Sequence, residues 1–127
     1  MPAPDIAATL AGIPAGTFTI VLAHNPALWP PLAEAGVSLT LSGHTHWGQL
    51  SINRAGWSLA NPFLELAMGA YRRGDSLLYV SPGTNYWGIP FRIGARAEVT
   101  ILTLRAGAKA GIVGAQSTDA RTLRARG

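Results

Sequence analysis

The chain has 127 residues, of which 48% are hydrophobic and 13% charged, against a charged share of about 25% in ordinary globular domains. This excludes a disordered protein, fits one domain or a piece of one, and points to apolar surface meant to be covered by something outside the chain. No cysteine is present, so a disulfide framework and every thiolate-ligated metal are excluded, and the net charge of +4 arises entirely beyond residue 104.

Up to residue 104 five arginines face five acids, whereas residues 105–127 carry Arg105, Lys109, Arg121, Arg124 and Arg126 against Asp119 alone. Five charges spread over an Ala- and Gly-rich stretch make a sparse patch, so residues 105–127 read as a basic, disordered, solvated tail and no nucleic-acid partner is expected. No run approaches the ~18 apolar residues of a membrane span, and Met1-Pro2-Ala3-Pro4-Asp5 has no basic stretch leading into an apolar one. The expected location is the cytoplasm.

In chain order, Ile6 to Leu10 allows a short helix, and Gly12 to Gly16 is turn material. Phe18-Thr19-Ile20-Val21-Leu22-Ala23 is almost continuously apolar and rich in β-branched residues, which predicts a strand buried on both faces and ending at His24. Asn25 then offers a helix N-cap with Pro26 at the first helical position. Pro30 and Pro31 are expected to interrupt that helix, and a second helical piece over Leu32 to Ala35 should stop at Gly36.

Val37-Ser38-Leu39-Thr40-Leu41-Ser42 alternates strictly, as a strand does, and runs into Gly43-His44-Thr45-His46. Leu50 to Gly74 reads as loop with one hairpin. Leu77 to Val80 predicts a strand entering the polar turn Ser81 to Asn85, and Glu98 to Leu104 predicts a last strand. No internal repeat is present. Trp29, Trp47, Trp57 and Trp87 read as core or rim residues rather than as base-stacking platforms.

All three histidines of the chain lie just past the C-terminal ends of predicted strands: His24 after the first, His44 and His46 after the second. Ligand sites in α/β sheets form outside the carboxyl ends of strands, so two neighbouring strands ending this way would bring three imidazoles into one crevice. Such a set suits Zn, Mn or Fe. In an extended segment His44 and His46 would point to the same side, and Gly43 would supply close backbone approach. Taken singly, each histidine reads as an ordinary polar loop residue; it is the three together, with no histidine elsewhere, that point to a metal site.

The segments Ala23-His24-Asn25-Pro26 and Gly43-His44-Thr45-His46, each after a strand, resemble the C-terminal half of the calcineurin-like metallophosphoesterases. The resemblance extends over Trp47-Gly48-Gln49, Leu78 to Gly83, Pro90-Phe91-Arg92 and Glu98 to Ile101, covers about residues 6–104, and is strongest to the membrane-associated bacterial branch. Two other His-x-His families do not fit. A cupin would carry a Glu soon after His46, and a metallo-β-lactamase an Asp-His directly after it.

The resemblance implies an α/β fold, half of a four-layer α-β-β-α sandwich formed by residues 1–104. It implies hydrolysis of a phosphomonoester, phosphodiester or pyrophosphate by a hydroxide bridging two divalent metals (Mn, Zn or Fe), with His24 and His44 on one metal and His46 on the other. Asn25, Gly43, Gln49 and Arg92 would stand at the edge of the site, Arg92 as a phosphate contact or a surface ion-pair partner. The implied substrate is a phosphoester, a lipid-linked precursor among the candidates, and the implied location extends to the inner face of the membrane.

The remaining ligands of the family come from Asp-x-His, Gly-Asp and Gly-Asn-His segments, and the six acids here stand in no such context. Three neutral imidazoles cannot offset the charge of a metal pair, so this chain alone is expected to hold at most one metal and to be nearly inactive. The missing N-terminal half is then its natural partner. Two other readings stay open: a self-sufficient hydrolase with a single metal bound by the three histidines, and a non-catalytic interaction module or remnant.

Overall fold

The computed structural model describes residues 3–46, 51–52, 57–58, 65–86, 88, 90–94, 97–106 and 115–117. The expected α/β class is what is found. Its centre is a four-stranded mixed sheet built from β1 (Ile20–Leu22), β2 (Leu39–Ser42), β5 (Gly69–Arg73) and β6 (Ser76–Val80), in the order β1-β2-β6-β5. The first three strands of that order run parallel and β5 is antiparallel to β6. Two small antiparallel pairs stand apart from it: β3 (Ser51–Ile52) with β4 (Trp57–Ser58), and β7 (Thr100–Leu102) with β8 (Ala115–Ser117).

The helices follow from local chemistry. Asp5 caps α1 (Ile6–Leu10), its Oδ1 accepting from the Ala8 amide at 2.9 Å. Asn25 caps a 3-10 turn over Pro26–Leu28 in the same way, its Oδ1 accepting from Ala27 N at 2.9 Å. That turn runs directly into α2 (Trp29–Glu34). The expected interruption at Pro30 and Pro31 is corrected here, because both prolines fall in the first turn of α2, where a backbone N–H has no intrahelical partner to lose. The stop at Gly36 is found: Gly36, at φ 86°, donates to Ala33 O and Val37 N donates to Leu32 O, the two bonds of a Schellman ending.

Registered neighbours in a sheet point to the same side. One face therefore carries Val21, Thr40, Leu78 and Tyr71, and the helices cover it. Ala23, Leu32 and Val37 form one buried cluster there with Ile6, Leu10, Val21 and Leu28 against it, and Trp29, Leu78 and Val80 form another. Trp29 is fixed by its indole N–H, which donates to Ser76 Oγ at 3.1 Å. The opposite face carries Ile20 and Leu22 in register with Leu39 and Leu41, and there Leu22 is 80% exposed.

Hence β1 is not buried on both faces as its composition predicts. It lies at the edge of the sheet with one apolar face open, because sequence reports what a strand is suited to bury and not what is there to bury it. The reverse holds for β2, whose polar Thr40 and Ser42 are buried on the helix side, their side-chain hydroxyls without a hydrogen-bond partner among the described residues.

Strand β5 lies inside the stretch read as loop. It pairs with β6 across the two-residue turn Gly74-Asp75, a hairpin signal in its own right. The one hairpin expected between residues 50 and 74 is the pair β3–β4. The last predicted strand is shorter than expected, Thr100–Leu102, and within residues 105–127 the described segment Ala115–Ser117 pairs with it.

Candidate functional site

Because β1, β2 and β6 are parallel neighbours, their C-terminal ends open on one edge of the sheet, and three loops start there side by side. The ladder continues past the strands: Ala23 N donates to Leu41 O at 3.0 Å, Gly43 N to His24 O at 3.2 Å and Ser81 N to Ser42 O at 2.8 Å. These bonds hold His24, Gly43–His46 and Ser81–Asn85 next to one another.

Two of the three histidines meet. His44 Nδ1 lies 3.0 Å from His24 Nε2, the rings edge to face with centroids 4.8 Å apart. His46 turns elsewhere, with Nδ1 3.3 Å from Asn85 O. A carbonyl only accepts, so this contact is a hydrogen bond when the proton sits on His46 Nδ1, the neutral tautomer that leaves Nε2 its lone pair.

The expectation that His44 and His46 point the same way from an extended segment is overturned by the backbone. His44 has φ 69° and His46 φ 48°, both left-handed, a conformation that costs a residue with a Cβ about 1–3 kcal/mol and persists only where the surroundings enforce it. Thr45 between them anchors the turn: it is buried and donates from Oγ1 to Ala67 O at 2.5 Å while its amide donates to Gly43 O at 2.8 Å, closing the backbone around His44. A Cβ built on Gly43 meets nothing within 4 Å, so close approach is not what that glycine supplies.

Arg92 is partly buried and holds carbonyls. Nη1 donates to Asn85 O at 2.5 Å, and Nη2 to Pro82 O at 2.8 Å and to His46 O at 3.4 Å. Desolvation lowers its pKa below the ordinary arginine value. Asn25 is occupied as a cap. Gln49, Trp47 and Trp87, with the side chain of Trp57, lie outside the described residues.

Behind the loops, Tyr79 Oη donates to Glu98 Oε1 at 2.6 Å, Thr100 Oγ1 donates to the same oxygen, and Glu98 N donates to Gly83 O at 3.1 Å. Burial first, then the bond to Glu98, pushes the Tyr79 phenol from 10.0 up to about 12. A cavity of about 360 Å³ opens beside Asn85 and Arg92, lined also by Tyr86 and Phe91.

The donor chemistry fits a metal in part. Nitrogens 3.0 Å apart stand within a few tenths of the about 3.3 Å expected of two imidazoles on one tetrahedral zinc. An Nδ1–H given to a carbonyl, as at His46, is the usual orientation of a metal-ligating imidazole. Among the described residues, however, no three His, Asp or Glu side chains gather closely enough to hold an ion. Asp5, Glu34 and Glu98 are engaged elsewhere, Glu34 with Arg73 at 3.0 Å. A pair of metals therefore does not fit these residues alone. The positions of Thr45 and of the Asn85 carbonyl had no signature in the sequence, since a carbonyl belongs to every residue.

The chain is 42% identical over 105 residues to the bovine (Bos taurus) "Transmembrane protein with metallophosphoesterase domain", an overlap of 80% of this chain and 23% of that protein. It is 40% identical over 104 residues to an uncharacterized metallophosphoesterase of Helicobacter pylori (80% and 27%). With one from Bacillus subtilis it shares 33% over 103 residues (80% and 36%). The chain is thus homologous to metallophosphoesterases, a class of hydrolases, over part of their length. It spans roughly a quarter to a third of these curated relatives. No family model and no solved structure matches it. Among the described residues no helix is long and apolar enough to cross a membrane.

Proposed function

We propose that this chain is the C-terminal part of a metal-dependent phosphoesterase of the calcineurin-like kind, half of its four-layer sandwich, and contributes His24, His44 and His46 as ligands of a two-metal centre. The observation that carries the reading is the convergence of His44 Nδ1 and His24 Nε2 at 3.0 Å on the edge where parallel strands end. His24 and His44 would hold one divalent ion, and Nε2 of His46 would face the other. Bound divalent metal supplies Lewis acidity toward phosphoryl oxygens and activates water for attack on phosphorus. The residues of this chain bring and orient ligands. Thr45 fixes the turn that sends His44 and His46 apart, and the Asn85 carbonyl holds the tautomer of His46. The carboxylates that neutralise the metals come from the partner half, against which the open face of Ile20 and Leu22 would pack. The substrate is a phosphoester.

The test is a longer chain, or a co-expressed N-terminal fragment of a relative, that brings the Asp-x-His, Gly-Asp and Gly-Asn-His segments. Such a protein should hydrolyse bis-p-nitrophenyl phosphate in the presence of Mn or Zn, and the present chain alone should not. Replacement of any one of the three histidines by Ala should lower turnover on the order of 100-fold or more. Full activity with His46→Ala would defeat the ligand assignment, and chelator-sensitive turnover by the present chain alone would defeat the partner half.

A further inference from the structure

Arg92 reaches from the segment before β7 into the gap between two strand-end loops. Among the described residues it donates to carbonyls of both: His46 O lies in the loop after β2, Pro82 O and Asn85 O in the loop after β6. Asn85 O is used twice, since it also accepts from His46 Nδ1 at 3.3 Å. One guanidinium thus grips His46 by its own backbone oxygen and, through the Asn85 carbonyl, by its ring. Carbonyl oxygens turned toward a common point repel one another, and a planar cation with several donors in fixed directions is the side chain suited to join them. A lysine ammonium is a compact point charge on a flexible stem and cannot reproduce that fork.

The need for such a grip is visible in the backbone. His46 stands in the left-handed region at φ 48°, where a residue with a Cβ stays only if its surroundings hold it. Thr45 holds the preceding residue, and Arg92 holds His46 itself. We propose that Arg92 is a positioning residue: by clamping the carbonyls of His46, Pro82 and Asn85 it locks the two loops together and keeps His46 in the Nδ1–H form, with Nε2 free. The importance of that lone pair rests on the proposed function, whereas the clamp itself does not.

The test uses the present chain, labelled with 15N and without metal or substrate. Long-range 1H–15N spectra at about pH 8 report which ring nitrogen of each histidine carries the proton. In the unmodified chain His46 should give the Nδ1–H pattern. In R92Q, and to a smaller extent in R92K, the Nδ1–H share of His46 should fall roughly twofold or more as the Asn85 carbonyl is released, while the His24 and His44 signals and the Leu78 and Val80 methyl shifts stay in place. An unchanged His46 pattern in both variants would overturn the proposal. Collapse of all three histidines together with the core methyls in both variants would also overturn it, since Arg92 would then serve the fold as a whole. Because no metal enters the measurement, its failure counts against the clamp alone, and failure of the turnover experiment counts against the phosphoesterase reading alone.

Discussion

The same substitution, Thr to Val, should have opposite signs at two buried positions five residues apart. Thr45 Oγ1 donates to the Ala67 carbonyl at 2.5 Å, and both residues are buried, at 8% and 4% exposure. Thr45→Val therefore deletes a hydrogen bond and strands its acceptor, a loss of about 1–3 kcal/mol. Thr40 is fully buried on the helix-covered face of β2, and among the described residues its Oγ1 has no hydrogen-bond partner. Its hydroxyl was desolvated on folding without compensation, so Thr40→Val should stabilise the chain by about 1 kcal/mol. The two variants should then differ by about 2–4 kcal/mol. Urea denaturation followed by far-UV circular dichroism measures this difference directly, provided both curves keep the slope of the unmodified chain. Thr45→Ser retains the donor and should recover most of the loss. If Thr40→Val destabilised the chain as much as Thr45→Val, the hydrogen-bond accounting would be refuted.

Three further substitutions follow from the sheet. Leu78, with no exposed surface in the cluster with Trp29 and Val80, should cost about 2–5 kcal/mol when changed to Ala, whereas Leu22, 80% exposed, should change stability by less than about 0.5 kcal/mol; equal losses in urea melts would contradict the assigned faces. Tyr79 binds its phenolic proton more tightly folded than unfolded, about 12 against 10.0. Its contribution is fully present below pH 10 and is lost as pH rises through about 12. Tyr79→Phe should accordingly be less stable at neutral pH, by about 1–2 kcal/mol, and should lack the part of the alkaline decline that Tyr79 causes. Denaturation curves of both proteins at pH 7, 10 and 11 test this, and parallel declines would refute it.

Much of the local structure was legible in the sequence. Asp5, Asn25 and Gly36 mark helix ends because capping is short-range chemistry, written in a residue and its neighbours within five positions. The runs Phe18–Ala23 and Val37–Ser42 announce strands, and the strand-end rule brings the residues that follow them to one edge of the sheet, because neither needs knowledge of what packs where. The hairpin β5–β6 carried its signal in Gly74-Asp75, yet Gly69-Ala70-Tyr71-Arg72-Arg73 has no apolar alternation, so partner β6 rather than composition makes it a strand. The tertiary structure alone decided which histidines meet. His44 turns to His24 and His46 to Asn85 because two left-handed residues flank a threonine tied to Ala67, a contact 22 residues away along the chain. It also decided that Arg92 grips carbonyls and that β1 has an open face, since exposure and acceptor position depend on where distant segments lie. Side-chain chemistry is inherited from the residue, but its partners are set by the path of the whole chain.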